Sequence, residues 1–203
     1  MISYILLIIS IILVVIGYLL LIVSYFTNKN KKKDITGADQ VQKLLIDDSA
    51  INLIEDKEAY FSHYNIKRNI VKLKSKTYNG RDVFSLAVAS FLSGYSLVKN
   101  NIFNYIAFIF KELKIFSFIP FITIIMSYLV SNSGDSKIAI VIFIVALVYL
   151  YLINSINTEA IDRVKLNDMD INKVMSIFNK ISTIFFISIL VQMLRLIVII
   201  LNI

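Results

Sequence analysis

Apolar residues in this chain are gathered into long runs, with one extended polar stretch between the first run and the others. Ile2 to Phe26 carries no charge, and its length suffices to cross a bilayer core of about 30 Å. Ile115 to Val130, Ile138 to Ile153 and Ile181 to Ile203 form three further runs. The pattern predicts a mainly α membrane protein with about four transmembrane helices: one over residues 1–27, a hairpin over 115–153 and a last helix over 181–203. Pro120, the only proline, lies in the second run, where a kink is tolerated. Ser131 to Ser136 supplies turn-forming residues between the hairpin helices.

The polar region, residues 28–114, predicts a small α+β unit. Thr36 stands where an N-cap is wanted, ahead of Val41, Leu44, Leu45 and Ile46 at helical spacing. Ile51, Leu53 and Ile54 give a short β-like alternation. Asn69-Ile70-Val71-Lys72-Leu73 alternates polar and apolar and predicts a half-buried strand. Asn79 is placed to cap a helix that runs through Val83 to Val98, with Asp82 in its first turn. Phe91 and Tyr95, four apart, share one face of that helix. Ile102 to Phe110 reads as an interfacial helix, too short to span. Residues 154–180 are charge-balanced and read as a segment on the same side as the polar region.

Charge sets the orientation. Lys29, Lys31, Lys32 and Lys33 follow the first run directly. By the positive-inside rule they stay in the cytoplasm, which puts both chain termini outside and the polar region inside a cell membrane. A cleaved signal peptide fits poorly, because no basic residue precedes the run and no small-residue cleavage site follows it. The net charge of +7 is explained by this basic flank, so nucleic acid is not an expected partner. The expected partners are the lipid bilayer and a membrane protein or peptide. Arg195 lies inside the last run, about two turns from its end, and its position suits a side chain that snorkels.

The chain has no cysteine and one histidine, His63. Catalytic zinc sites usually take three protein ligands drawn from His, Cys and carboxylates. One copy of this chain therefore cannot build a standard His/His/Glu site. Asp168 and Asp170 do not make an EF-hand loop, for want of its glycine and closing glutamate.

Several stretches, in order, resemble YugP-type membrane zinc metallopeptidases: Thr36-Gly37-Ala38-Asp39, His63-Tyr64-Asn65, Ile70-Val71-Lys72-Leu73, Gly80-Arg81, Ala87-Val88-Ala89 and Gly94. The resemblance implies a zincin-like helix over 80–98. Its family motif, His-Glu-x-Gly-His, would fall on Phe91, Leu92 and Tyr95, and the third zinc ligand on Ser155, with Glu159 as a rival position one turn later. Zinc, the family's cofactor, is therefore expected to be absent here, and no catalytic or metal-binding residue is expected. The strand Asn69–Leu73, with His63, is the expected peptide-holding groove, since such a strand can take an extended ligand by strand addition. The reading is a catalytically inactive pseudopeptidase acting as a binding, scaffold or regulatory protein. Two alternatives stay open: an active metallopeptidase with an unconventional or shared site, and a small transporter or channel subunit motivated by the spans and Arg195.

Overall fold

The computed structural model describes residues 2–46, 51–58, 61–98, 106, 119–133, 136–164 and 166–201. It is mainly helical. Helix α1 (Ile2–Asn28) leads into α2 (Gly37–Leu44), then strands β1 (Asn52–Asp56), β2 (His63–Asn65) and β3 (Ile70–Lys74). A single turn, α3 (Ser75–Tyr78), precedes α4 (Val83–Leu97). Helices α5 (Ile119–Ser133), α6 (Ser136–Arg163) and α7 (Met169–Ile200) complete the chain. The expected helix over Ile102 to Phe110 lies outside the described residues, apart from one helical residue, Ile106.

Three of these helices are long and apolar enough to cross a membrane: α1, α6 over Ile140–Arg163, and α7. Their outward faces carry Ile8, Ile12, Leu19, Val145, Val148, Leu194 and Ile197, all exposed. Such a surface on a chain of this kind marks a membrane-associated protein. The second expected span, over Ile115 to Val130, is described from Ile119 as α5, 15 residues or about 22 Å. Pro120 is buried and is the second described residue of this helix. The charge-balanced segment, residues 154–180, is mostly helix: α6 continues to Arg163, and α7 starts at Met169. Apolar residues Ile156, Ala160 and Val164 continue the buried face of α6 past Ile153. Asp168 stops the turn by capping α7, accepting from the amides of Asp170 (3.0 Å) and Ile171 (3.3 Å).

α1 and α7 lie antiparallel along their whole length. Ser10 faces Ser188 at 2.8 Å near one end of the pair, and Lys33 bonds Asp168 at 2.8 Å beyond the other. Ile2 and Leu201 thus lie at one end of the bundle and the polar region at the other. The seam on α1 is built from Ser10, Val14, Gly17, Ser24 and Asn28, all buried and at helical spacing. Small residues let the helices approach closely in lipid. A Cβ on Gly17 would come within 2.4 Å of the Phe185 ring. Gln192 donates to Ser10 Oγ at 2.6 Å, which adds a polar contact inside the seam. Arg195 is 1% exposed. It is not turned outward, as a snorkelling side chain would be. Its Nε donates to the carbonyl and hydroxyl oxygens of Ser3, at 3.1 and 3.2 Å, across the seam.

The sheet has the order β1-β3-β2, with β1 parallel and β2 antiparallel to β3. Val71 and Leu73 are fully buried and turn toward the core, where β3 meets α4. Asn69 takes the left-handed conformation at φ 52° in the turn before β3. Asparagine tolerates that region better than most residues, and the Tyr64 hydroxyl donates to its Oδ1 at 2.7 Å.

Candidate functional site

The helix expected to carry the chemistry, α4, is the hub of the polar end. Its neighbours are α2, α6, α7 and the sheet. Asp82 caps it, accepting from the Ser85 amide at 2.9 Å and its hydroxyl at 2.7 Å. Asn79, expected as that cap, instead closes the short α3 turn. The reason is a backbone tie: residues 80–82 run extended beside the chain leaving α1. Lys33 N–H bonds Arg81 O (2.8 Å), Val83 N–H bonds Lys31 O (2.9 Å), and Gly37 N–H bonds Gly80 O (2.9 Å). Helical geometry therefore begins only after Asp82. Gly37 and Gly80 permit this contact. A Cβ on Gly37 would sit 2.1 Å from the Thr77 carbonyl oxygen, and one on Gly80 2.5 Å from that of Lys76. The Thr36-Gly37 and Gly80-Arg81 stretches thus meet in space. Thr36 caps α2 in a full capping box with Asp39.

Phe91, Leu92 and Tyr95 are all buried. The Phe91 and Tyr95 rings pack at 4.7 Å between centroids, inclined by 56°. Phe91 also meets Phe178 of α7 edge-on at 5.5 Å, and Phe178 meets Phe84 at 5.7 Å. Each pair adds about 0.5–1.5 kcal/mol beyond the burial of its area. The Tyr95 hydroxyl ends the row by donating to Asn157 Oδ1 on α6 at 2.5 Å. Burial, with Tyr149 alongside, pushes the Tyr95 phenol well above its ordinary range, so it stays a neutral donor.

Ser155 does not join this row. It is exposed, and Asn157 takes the place facing α4. Two residues along a helix turn the side chain by about 200°, so 155 and 157 cannot share a face. The same rotation carries the rival position, Glu159, away from Tyr95; it bonds Arg163 at 3.4 Å. Asn157 lies beyond Ile153, where the third apolar run ends, and Phe178 lies ahead of Ile181, where the last run begins. The spacing of Ile153, Ile156, Asn157 and Ala160 was the signal for both the longer helix and its buried face. Gly94 has a packing reason too, since a Cβ there would lie 2.4 Å from the Ala160 carbonyl oxygen.

These residues do not suit zinc. Phe91 and Leu92 carry no donor atom, the Tyr95 oxygen is committed to Asn157, and Ser155 faces outward. His63 sits in β2, opposite Lys72, with Nδ1 3.4 Å from the Phe61 carbonyl. Among the described residues no three His, Asp or Glu side chains group as a metal site.

The expected groove strand also needs correction. Ile70, Val71, Lys72 and Leu73 form the centre of the sheet and pair with β1 along their full length. Ile70, Val71 and Lys72 pair with β2 as well, and Asn69 is the turn residue. Lys72 further bonds Asp56 at 3.7 Å. A strand paired on both sides has no edge for a peptide. The edges belong to β1 and β2.

Two cavities lie among the described residues. One, of about 470 Å³, lies between α2 and the α6–α7 turn, where Lys33, Lys43, Asp34 and Asp168 balance one another around Gln40. The other, of about 310 Å³, is apolar and lies between α5 and α6, lined by Ile119, Ile122, Thr123 and Val145. No protein-family model, no curated protein and no solved structure matches this chain.

Proposed function

We propose that this chain is a multi-pass cell-membrane protein with its termini outside and its polar region in the cytoplasm, and that it works by binding rather than catalysis. It is a pseudopeptidase of the YugP type, serving as a scaffold or regulator of a membrane protein or peptide. The observation that supports this most is the Phe91–Tyr95–Asn157 row. At the positions where the peptidases hold a hydrated ion, this helix is packed with rings and closed by a hydrogen bond between neutral groups. Filling such a place with large apolar side chains stabilises the fold by about 1.5–3 kcal/mol each. It leaves no polarised water for hydrolysis.

The peptide-binding role then moves to the outer edge of β1. The Asn52 amide points to β3, bonding Asn69 O at 3.1 Å. By alternation, the amides of Leu53 and Glu55 face the open edge.

Elemental mass spectrometry on the detergent-purified full chain tests the non-catalytic reading. Well under one zinc per chain is expected; stoichiometric zinc that survives dialysis overturns it. Site-specific crosslinking from Ile54 tests the binding edge. A discrete adduct lost in Glu55→Pro, which removes an outward amide and spares the β1–β3 ladder, is the expected result. An adduct indifferent to that change sinks the edge assignment.

A further inference from the structure

Where α1 reaches the polar end, two cations converge on one aromatic ring. Lys29 Nζ lies 5.9 Å from the centroid of Tyr25 and 4.4 Å from that of Phe26. Lys76, arriving from α3, lies 4.8 Å from the Tyr25 centroid and donates to its hydroxyl. Among the described residues neither lysine forms an ion pair, whereas Lys31 and Lys33 beside them are held by Asp170 and Asp168. The neighbouring carboxylate, Asp82, is occupied in capping α4 through Ser85. Among the described residues the chain thus holds two like charges around one ring, and no carboxylate forms an ion pair with either. Below them the outward face of α1 is continuously apolar: Leu19, Ile22, Val23 and Phe26 are all exposed.

The position along α1 matters. Its 27 residues make a rod of about 40 Å, longer than the bilayer core of about 30 Å. Tyr25 and Phe26 therefore stand at the level where aromatic residues meet headgroups, and Lys29 and Lys76 stand just above. We propose that Lys29, Lys76 and the Tyr25 ring form a docking site for the phosphodiester of an anionic phospholipid. Its acyl chains lie along Val23 and Phe26. The ammonium groups donate charge-assisted hydrogen bonds to the phosphate oxygens, and the apolar strip of α1 receives the tails. Lysines this close to an anionic leaflet each favour association by about 1 kcal/mol. Two of them correspond to a preference for an anionic over a zwitterionic headgroup of roughly 30-fold. The proposal does not depend on the pseudopeptidase reading, only on α1 crossing the membrane.

Native mass spectrometry of the full chain in mixed micelles tests it, titrating phosphatidylglycerol against phosphatidylcholine of the same acyl chains. We expect phosphatidylglycerol to bind at least tenfold tighter, with the margin shrinking as salt rises. Lys29→Gln/Lys76→Gln should abolish the preference, and Lys29→Arg/Lys76→Arg should keep it. Lys67→Gln/Arg68→Gln, an equal loss of charge on the exposed β2–β3 turn, should also keep it. Equal binding of both lipids by the wild type overturns the site without recourse to any variant. An equal effect of the turn variant overturns it as diffuse charge attraction. Competition by millimolar inorganic phosphate overturns it as a site for a soluble anion.

Discussion

The Tyr95 hydroxyl donates to Asn157 Oδ1 at 2.5 Å, joining the last turn of α4 to the C-terminal third of α6 inside the protein. Both residues are buried, at 2% and 4% exposure. A buried acceptor deprived of its donor costs about 1–3 kcal/mol. Tyr95→Phe is therefore expected to lower the unfolding temperature in detergent, and Tyr95→Phe/Asn157→Leu to recover part of the loss. Circular dichroism melts check this. An unshifted transition in Tyr95→Phe would show that the bond carries no weight in the fold.

Gly94 and Gly17 offer a paired test of two kinds of close approach. At Gly94 an added Cβ meets backbone, the Ala160 carbonyl oxygen at 2.4 Å. At Gly17 it meets the far edge of a side chain, Phe185 Cε1, also at 2.4 Å. A ring can swing and a helix backbone must be pushed. Gly94→Ala is expected to destabilise by about 1–3 kcal/mol, the usual cost of overpacking, and Gly17→Ala by clearly less. Chemical unfolding of the two variants side by side decides it, and equal losses would contradict the distinction.

The same residues show how much the amino-acid pattern reveals. The first apolar run, the Thr36 cap and the Ile70–Leu73 strand were legible because each rests on local chemistry: hydrophobic length, a capping oxygen, alternation. The helix through Phe91 and Tyr95 was legible for the same reason. What faces that helix was not. Asn157 and Phe178 come from helices 62 and 83 residues beyond Tyr95 in the chain, and their rotation about the helix axis is fixed by packing. Reading Ser155 as the facing residue put the side chain about 200° from the one that matters. The start of α4 was misplaced likewise, because the tie between 31–33 and 81–83 is a contact between distant segments and leaves no local mark. Sheet order is a third case. Alternation announces a strand and says nothing about whether it lies at an edge, and the edges of this sheet are β1 and β2.

The polar seam between α1 and α7 predicts a coupled pair. Ser10 exchanges hydrogen bonds with Ser188 and accepts from Gln192 Nε2 at 2.6 Å. The other end of the Gln192 amide, Oε1, is buried and has no hydrogen-bond partner among the described residues. Ser10→Ala removes the partner of the donor end too and is expected to cost about 0.6–2 kcal/mol. Ser10→Ala/Gln192→Leu should cost less than Ser10→Ala alone, because it takes the orphaned amide out of the bilayer along with the serine. A double-mutant cycle by thermal unfolding in detergent measures the coupling. Strictly additive losses would mean the two side chains act independently.

At the opposite end of the same helix pair, Lys33 and Asp168 make the chain sensitive to acid. Burial works to raise the Asp168 pKa. The Lys33 hydrogen bond and the Ile171 and Asp170 amides outweigh it and hold the carboxyl below its ordinary range. Asp39 is lowered likewise, first by the Thr36 amide and then by the Thr36 hydroxyl. The Asp168 bond in turn raises the pKa of Lys33. A depressed carboxyl contributes stability that is complete above its unfolded value and is lost as pH falls through its folded one. A raised lysine contributes stability that is complete below its unfolded value and is lost as pH rises through its folded one. The stability that the staple between the α1 flank and the α6–α7 turn contributes is therefore complete from about pH 4 to about pH 10 and is lost progressively outside that window. The unfolding temperature is expected to fall below pH 4 in the wild type. Asp168→Asn keeps the capping oxygen for α7 and removes the charge, so its melting curve should lie below the wild type at neutral pH and converge with it in acid. Parallel curves at all pH values would show that the Asp168 charge plays no part.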